Sequence, residues 1–405
     1  MEKPTTTTAM DPAVSEDSDD EKGITPKESN AAIVVLITGG SGFIASHIIL
    51  QLLAAGYTVR ATLRTIAKEA VVRKGLSIAL LSAGADAASH LARLSFYVTD
   101  LLKDDGWADA MRGCTKVLHV ASPYPAKEPK SDDEVIAPAR EGTLRVLRAA
   151  QAAAVQRVVL TSSFTAIGYG HPPDPKRLFT EKDWSVETPE LTAYFRSKLL
   201  AERAAWAYVE GLPADQHKIE LVTVCPVGTF GPVLPGGRPS SSVDLVRGLL
   251  DTSTSDSSSA RLLLPQLNFN MVDVRDLADL QIRAMVAPSS LIVGLGEQQR
   301  FLGVADGRPM SLEGIITTIR KERPHLVKAR GIMPLITAPN WMLRAAARFD
   351  SKSRSLMPLL GPGAIRAASN QKARDLLGWR PRPVNETILA TVDSLAEAMD
   401  THKPE

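Results

Sequence analysis

Residues 38–45 read TGGSGFIA and directly follow the apolar run Ile33–Ile37. This junction constrains the fold more than any other stretch of the chain. Gly39, Gly42 and Ala45 stand in a G-x-x-G-x-x-A spacing. Glycine lets a turn leaving a buried strand bring its backbone close to a pyrophosphate, and a small residue three positions later lets the next helix pack tightly on the sheet. That helix directs its first N–H groups, here those of Phe43 and Ile44, and its positive end at the phosphates. A glycine pattern alone is weak evidence. With a buried strand before it and an amphipathic helix after it, it predicts a dinucleotide-binding unit.

The alternation continues downstream. Strands are predicted at Ala32–Thr38, Thr58–Arg64, Leu94–Val98, Lys116–Val120, Arg157–Ser162 and Glu220–Cys225. Helices are predicted between them at Ile44–Ala55, Ala67–Leu81, Gly106–Met111, Ile136–Ala154 and Ala193–Glu210. Regular strand–helix succession implies an α/β fold with a Rossmann-type, doubly wound parallel sheet and right-handed crossovers. After Pro226, proline and glycine cluster, and helical patterns take over at Ser242–Leu250, Arg275–Met285, Leu312–Lys321, Pro339–Phe349, Asn370–Leu377 and Asn385–Met399, with a short strand at Asn268–Val274. Residues 31–225 are therefore expected to form the nucleotide domain. Residues 226–405 should form a smaller, mostly helical substrate domain, with 268–305 returning to the large sheet. Residues 1–30 form an acidic, Thr-rich segment with almost no large apolar side chains, expected to be a disordered tail. Asp251–Ser259, nearly all Ser, Thr and Asp, is expected to be a peripheral loop.

Composition excludes several classes. A net charge of +2 gives no argument for nucleic acid. No apolar stretch approaches the roughly 18 residues of a membrane span, and no basic-then-apolar signal peptide opens the chain. Two distant cysteines, Cys114 and Cys225, read as core residues of a cytoplasmic protein, with no metal cluster or disulfide framework. A monomer or homodimer acting on a small molecule is the expectation.

The cofactor's identity turns on the end of the second strand. An NAD site usually places an acid on the ribose about 20 residues past the glycine turn. Here the sequence is VRATLRT, ending in Arg64-Thr65. A guanidinium can hold a 2′-phosphate in a fork where a carboxylate would repel it, so NADP(H) is predicted. Arg60 and Lys68 are secondary candidates. Asp100-Leu101, closing the third strand, stands where adenine would lie.

Tyr194 precedes Lys198 by four residues, which puts both on one helix face. Thr161-Ser162-Ser163 ends a strand upstream. Reducing a carbonyl needs a hydride from one side and a proton on the developing alkoxide. A phenol titrating near 10 is poor at this near neutrality unless an ammonium stabilises its phenolate. Tyr194 is thus the candidate proton donor and Lys198 its activator and a ribose ligand. Ser163 is the candidate to orient the carbonyl oxygen, with Ser162 and Thr165 as neighbouring alternatives.

The stretches TGGSGFIA, GYTVRATLR, VLHVASP, EGTLRVLRAA, RVVLTSS, AYFRSKLLAERAAW, CPVGTFGP, VDVRDLADL and KARDLLGWRPRP together resemble the extended short-chain dehydrogenases/reductases, within the NAD-dependent epimerase/dehydratase superfamily. The similarity is to the group holding dihydroflavonol reductases, cinnamoyl-CoA reductases and microbial aldehyde/ketone reductases. The resemblance implies an interleaved two-domain fold, NADP(H), and a Ser-Tyr-Lys triad on Ser163, Tyr194 and Lys198. It also implies that His119–Pro123, including Val120, Ala121 and Ser122, and Pro226–Thr229, including Val227, line the nicotinamide. Val227 and Gly228 depart from some plant relatives. Its rivals are a sugar-nucleotide epimerase or dehydratase and a non-catalytic NADP-sensing regulator. A dehydratase normally needs an acid beside the active-site hydroxyl, and Phe164-Thr165-Ala166-Ile167 supplies none; a sensor would tend to lose Tyr194. Outside the site, Asp276 is expected to cap or brace a helix, and the helix carrying Trp341 to pack on the core.

Overall fold

The structure is a computed structural model that describes residues 30–123, 131–189, 191–250, 262–264, 266–293, 298–326, 335–337, 339–346, 348, 357 and 365–400. The acidic tail and the Ser-rich segment 251–259 lie outside the described residues.

The first half builds β1 (Val34–Ile37), α1 (Phe43–Ala54), β2 (Thr58–Leu63), α2 (Glu69–Ser82), β3 (Leu94–Val98), α3 (Trp107–Met111), β4 (Lys116–His119), α4 (Asp133–Ala152), β5 (Arg157–Thr161), α5 (Ala193–Glu210) and β6 (Glu220–Pro226). A late strand, β9 (Arg300–Gly303), joins β6, so one all-parallel sheet runs β3-β2-β1-β4-β5-β6-β9. The chain reverses direction across this sheet between β1 and β4. Doubly wound folds open a crevice at that switch point, beyond the carboxyl ends of the strands.

Helices cover both faces. On one, α1 buries Ile48, Ile49, Leu52 and Leu53, a helical stripe that meets Leu277 and Leu280 of α7 (Val274–Val286) and the fully buried Trp379. On the other, α4 and α5 pack Val146, Leu147, Ala205 and Trp206 against Val117, Val158 and Leu221. Burying each such aliphatic side chain contributes about 1.5–3 kcal/mol.

After Pro226 the chain turns through β7 (Gly228–Phe230), which pairs in parallel with β8 (Met271–Asp273). These two strands, α6 (Ser241–Leu250), α8 (Leu312–Glu322) and α10 (Val384–Asp400) enclose a separate core of Phe230, Val243, Val246, Ile315, Ile319, Ile388 and Val392. Phe43, the first residue of α1, also inserts there, so the helix leaving the glycine turn braces both layers.

Outside the site, one expectation is narrowed and one is overturned. Asp276 does not cap α7; Asp273 does, accepting from the Arg275 N–H, because the residue before the first turn is the one whose side chain reaches back. Asp276 instead accepts from the Arg382 backbone N–H at 2.7 Å and pairs with the Arg382 guanidinium, and burial lifts its carboxyl to about 6. The helix with Trp341 spans Asn340–Ala346 and, among its described residues, buries none; Trp341 is 68% exposed.

Candidate active site

The glycine turn is fixed from both neighbouring strands. Gly39 adopts φ +72°, open to glycine at little steric cost, and a Cβ there would lie 3.0 Å from the Ala121 Cβ. At Gly40, a Cβ would stand 2.7 Å from the Ala61 Cβ of β2. The Gly40 N–H donates to Thr62 O at 2.8 Å, and the Gly42 N–H to Gly39 O at 2.8 Å. Gly42 is the N-cap of α1 and offers no side-chain cap, so the first-turn N–H groups of Phe43 and Ile44 keep their place for an anion. The Phe43 side chain is buried and points into the second core, leaving only its backbone on the phosphate side.

Thr38, between β1 and the turn, ties the switch point together. Its hydroxyl accepts from the N–H groups of Val120 at 3.0 Å and Ala121 at 2.9 Å, and donates to His119 Nδ1 at 2.8 Å. His119 suits the accepting role because burial, reinforced by the charge of Lys198, pulls its imidazole down to about 3 and keeps it neutral. Nothing in the local sequence marks Thr38 for this role.

Helix α5 begins at the N-cap Thr192, whose hydroxyl accepts from the Phe195 N–H at 3.3 Å. Tyr194 lies in the first turn and is 38% exposed. Lys198, one turn further, lines a small cavity with Ala121 and Ser122 after β4 and with Thr161, Ser162 and Glu202. Burial pulls its ammonium down to about 8, partly opposed by the Glu202 carboxylate.

Ser162 and Ser163 have different fates because side chains alternate along an extended chain. Ser162 is buried and donates to Glu202 Oε2 at 2.5 Å. Ser163 is half-buried, and its Oγ accepts from the Thr165 N–H at 3.1 Å at the start of a short 3-10 turn that packs on α5. Thr165 itself is buried. Of the three residues, Ser163 is the only one not buried, although it is Ser162 that lines the cavity with Lys198.

Glu202 is the residue that sequence reasoning missed. It lies one turn beyond Lys198 on α5 and is fully buried. Its Oε1 accepts from Arg300 Nε at 2.7 Å and Thr223 Oγ1 at 2.9 Å, and Arg300 Nη2 reaches Oε2 at 3.3 Å. The Arg300 guanidinium donates onward to the carbonyls of Glu181 at 2.8 Å and Asp183 at 2.6 Å and stacks on Trp184, 3.7 Å from the ring centre. A fully hydrogen-bonded ion pair thus braces the lysine from behind. The available signal was spacing: positions 194, 198 and 202 share one face of the helix.

The remaining candidates separate as follows. Arg64 is exposed at the end of β2, and Lys68 lines a groove beside Gly40 and Ser41. Arg60 is withdrawn: its guanidinium donates to the carbonyls of Ala110 at 3.1 Å and Arg112 at 2.7 Å and covers Tyr97, which makes it the C-terminal clasp of α3. The Asp100 carboxylate accepts from the Leu102 N–H at 3.0 Å and so shapes its own turn, with Leu101 half-buried behind it. Val227 N–H donates to Gly303 O at 3.2 Å beside Pro226, and the Thr229 hydroxyl donates to Val227 O at 3.3 Å. Tyr169 is buried, 4.5 Å from the Phe195 ring centre and beneath Arg366, and burial pushes its hydroxyl up to about 12. Both cysteines are buried and free. Among the described residues no cluster of His, Cys, Asp or Glu is arranged to hold a metal, and no helix is long and apolar enough to cross a membrane.

This fold and this turn define a nucleotide-binding α/β protein. Residues 35–294 match the NAD dependent epimerase/dehydratase family, and the chain belongs to that family. The chain is 33% identical over 263 residues to a dihydroflavonol 4-reductase of Zea mays, across 63% of this chain and 67% of that protein. Similarity to the ketoreductase azaE of Aspergillus niger is more extensive: 32% identity over 380 residues, 90% of this chain and 97% of that one. Among solved structures, the yeast methylglyoxal/isovaleraldehyde reductase Gre2 complexed with NADPH superposes with a TM-score of 0.68 at 25% identity, covering 91% of this chain and 99% of Gre2.

Proposed function

We propose that this chain is an NADPH-dependent reductase of an aldehyde or ketone, working through Ser163, Tyr194 and Lys198. The observation that carries the reading is that Lys198, one helical turn after Tyr194, shares one cavity with Ala121 and Ser122, and Ala121 lies against Gly39 of the glycine turn. Relatives named as dihydroflavonol reductase, ketoreductase and aldehyde reductase support the reaction class, and the NADPH in the Gre2 complex supports the cofactor.

The residues present suit a dinucleotide. The turn is lined by glycines where a Cβ would strike Ala61 or Ala121, and the first turn of α1 is uncapped by any side chain. Phe43 and Ile44 offer N–H groups to the pyrophosphate, Arg64 and Lys68 hold the 2′-phosphate, and Lys198 holds ribose hydroxyls. When bound, the reduced nicotinamide supplies the hydride. Tyr194 gives its phenolic proton to the carbonyl oxygen as negative charge develops there. Lys198 favours that transfer through its positive charge, and the Ser163 hydroxyl donates a hydrogen bond that orients the oxygen. Glu202, engaged by Arg300 and two hydroxyls, keeps Lys198 charged without offering a free acid for dehydration chemistry. Aliphatic, aromatic and cyclic carbonyl compounds should each be assayed for NADPH oxidation. Turnover of at least one, with none of a sugar nucleotide, is the expected result; epimerisation or dehydration of the sugar nucleotide would overturn it.

A further inference from the structure

The segment after β7 packs on two different elements. Its base is anchored: the Gly231 N–H donates to Thr391 Oγ1 at 2.7 Å, the Val233 N–H to Ser394 Oγ at 3.0 Å, and His47 Nε2 to Pro232 O at 2.9 Å. The His47 imidazole stays neutral, burial drawing it down to about 4. Beyond this base, residues 234–237 turn tightly, with the Gly237 N–H donating to Leu234 O at 2.8 Å, and seat on α2. The approach is close enough to require glycine on both sides. A Cβ on Gly75 would lie 2.4 Å from Pro235 O, and Gly236 holds φ +71° against Val71.

This seat brings Arg238 to the rim of a groove of about 220 Å³ lined also by Gly40, Ser41 and Lys68. Arg64 is close enough that its charge, after burial and the charge of Arg238, helps pull the Lys68 ammonium below its ordinary value. Three cations therefore converge beside the glycine turn. Among the described residues none of them has a carboxylate partner, whereas Arg73, on the same helix as the groove wall, pairs with Glu69. Like charges gathered without counter-ions raise the free energy of the empty groove and favour an anion in it.

We propose that Arg238 is a third phosphate ligand at the adenosine end of the cofactor, so that the loop 231–238, which belongs to the second core, takes part in selecting NADPH over NADH. The proposal rests on the NADPH reading above and adds a specificity residue from the other layer. Its chemistry is that of a charge-assisted contact to the 2′-phosphate.

The test titrates wild type, Arg238→Gln and Arg238→Lys with NADPH, NADH, 2′,5′-ADP and 5′-ADP by calorimetry, with thermal melting to check the fold. Arg238→Gln should weaken NADPH and 2′,5′-ADP about tenfold while NADH and 5′-ADP change less than twofold. Arg238→Lys should keep most of the preference. Equal losses for all four ligands, or none, would overturn the proposal while leaving the cofactor reading intact. A wild-type protein that binds NADH as well as NADPH would sink both.

Discussion

Replacing Glu202 by Gln removes one negative charge and keeps the side chain's shape. In the wild type the carboxylate accepts from Ser162, Thr223, Trp206 and the Cys225 thiol as well as twice from Arg300, and both residues are almost entirely buried. The amide leaves the guanidinium buried without its paired carboxylate: its other contacts are two carbonyls and the Trp184 ring, and Glu181 acts on it only through its charge. Breaking a buried pair from one side destabilises by about 3–5 kcal/mol. That is a large part of the roughly 5–15 kcal/mol stability of an ordinary domain, yet leaves it folded in the cold. Urea denaturation of wild type, Glu202→Gln, Arg300→Met and the double variant measures it. Each single change should lose about 3–5 kcal/mol, and the double should lose less than the sum by at least about 1 kcal/mol. The same change acts on catalysis. Glu202 raises the Lys198 pKa toward about 8, so without it the ammonium is lost at lower pH and the alkaline limb of the reduction rate should move down in pH. Single losses below about 1 kcal/mol with strict additivity would refute the claim that this pair braces the catalytic helix.

Lys198→Met should abolish turnover while stabilising the fold. The folded lysine titrates at about 8 against an ordinary 10.5, so the buried ammonium opposes folding by at most about 3 kcal/mol. That penalty is full below pH 8 and fades as pH rises to 10.5, so the gain seen in melts at pH 7 should vanish by pH 10.5. Arg64→Glu should weaken NADPH far more than NADH in fluorescence titrations, because a carboxylate would then face the 2′-phosphate; equal losses would make Arg64 a fold residue. Gly40→Ala should destabilise by about 1–3 kcal/mol and weaken cofactor binding, and Ala61→Gly in the same chain should restore both, since it removes the carbon that the new methyl would strike at 2.7 Å.

Hydrophobic periodicity carried most of the fold. The predicted helix Ala193–Glu210 coincides with α5, and the ends of β1 to β6 fall within two residues of those expected, because buried parallel strands and amphipathic helices write their periods into local sequence. Contacts between distant segments were not legible in this way. Arg300 meets Glu202 across 98 positions, and nothing local to residue 300 announces a buried arginine. Arg60 lies within β2 and Arg64 just past its end, yet both read as candidate phosphate ligands in sequence; only the position of α3 shows that Arg60 clasps carbonyls while Arg64 is exposed. The seat of residues 234–237 on α2 was invisible for the same reason. A composition shift at Pro226 suggested a clean division between cofactor and substrate halves, yet Leu234–Arg238 lines the groove beside the glycine turn. The burial of Tyr169 is likewise not legible locally, since its aromatic stacking with Phe164 and Phe195 is a tertiary event.

The most direct test of the central claim is hydride transfer itself. NADPH deuterated at C4 of the nicotinamide should be incubated with the best carbonyl compound of the panel, and the alcohol analysed by mass spectrometry for wild type and Tyr194→Phe. The account predicts deuterium on the carbinol carbon with wild type. For Tyr194→Phe it predicts a rate lower by about two or more orders of magnitude, with NADPH affinity unchanged within about threefold. Absence of label from the product, or near-normal turnover by Tyr194→Phe, would contradict it.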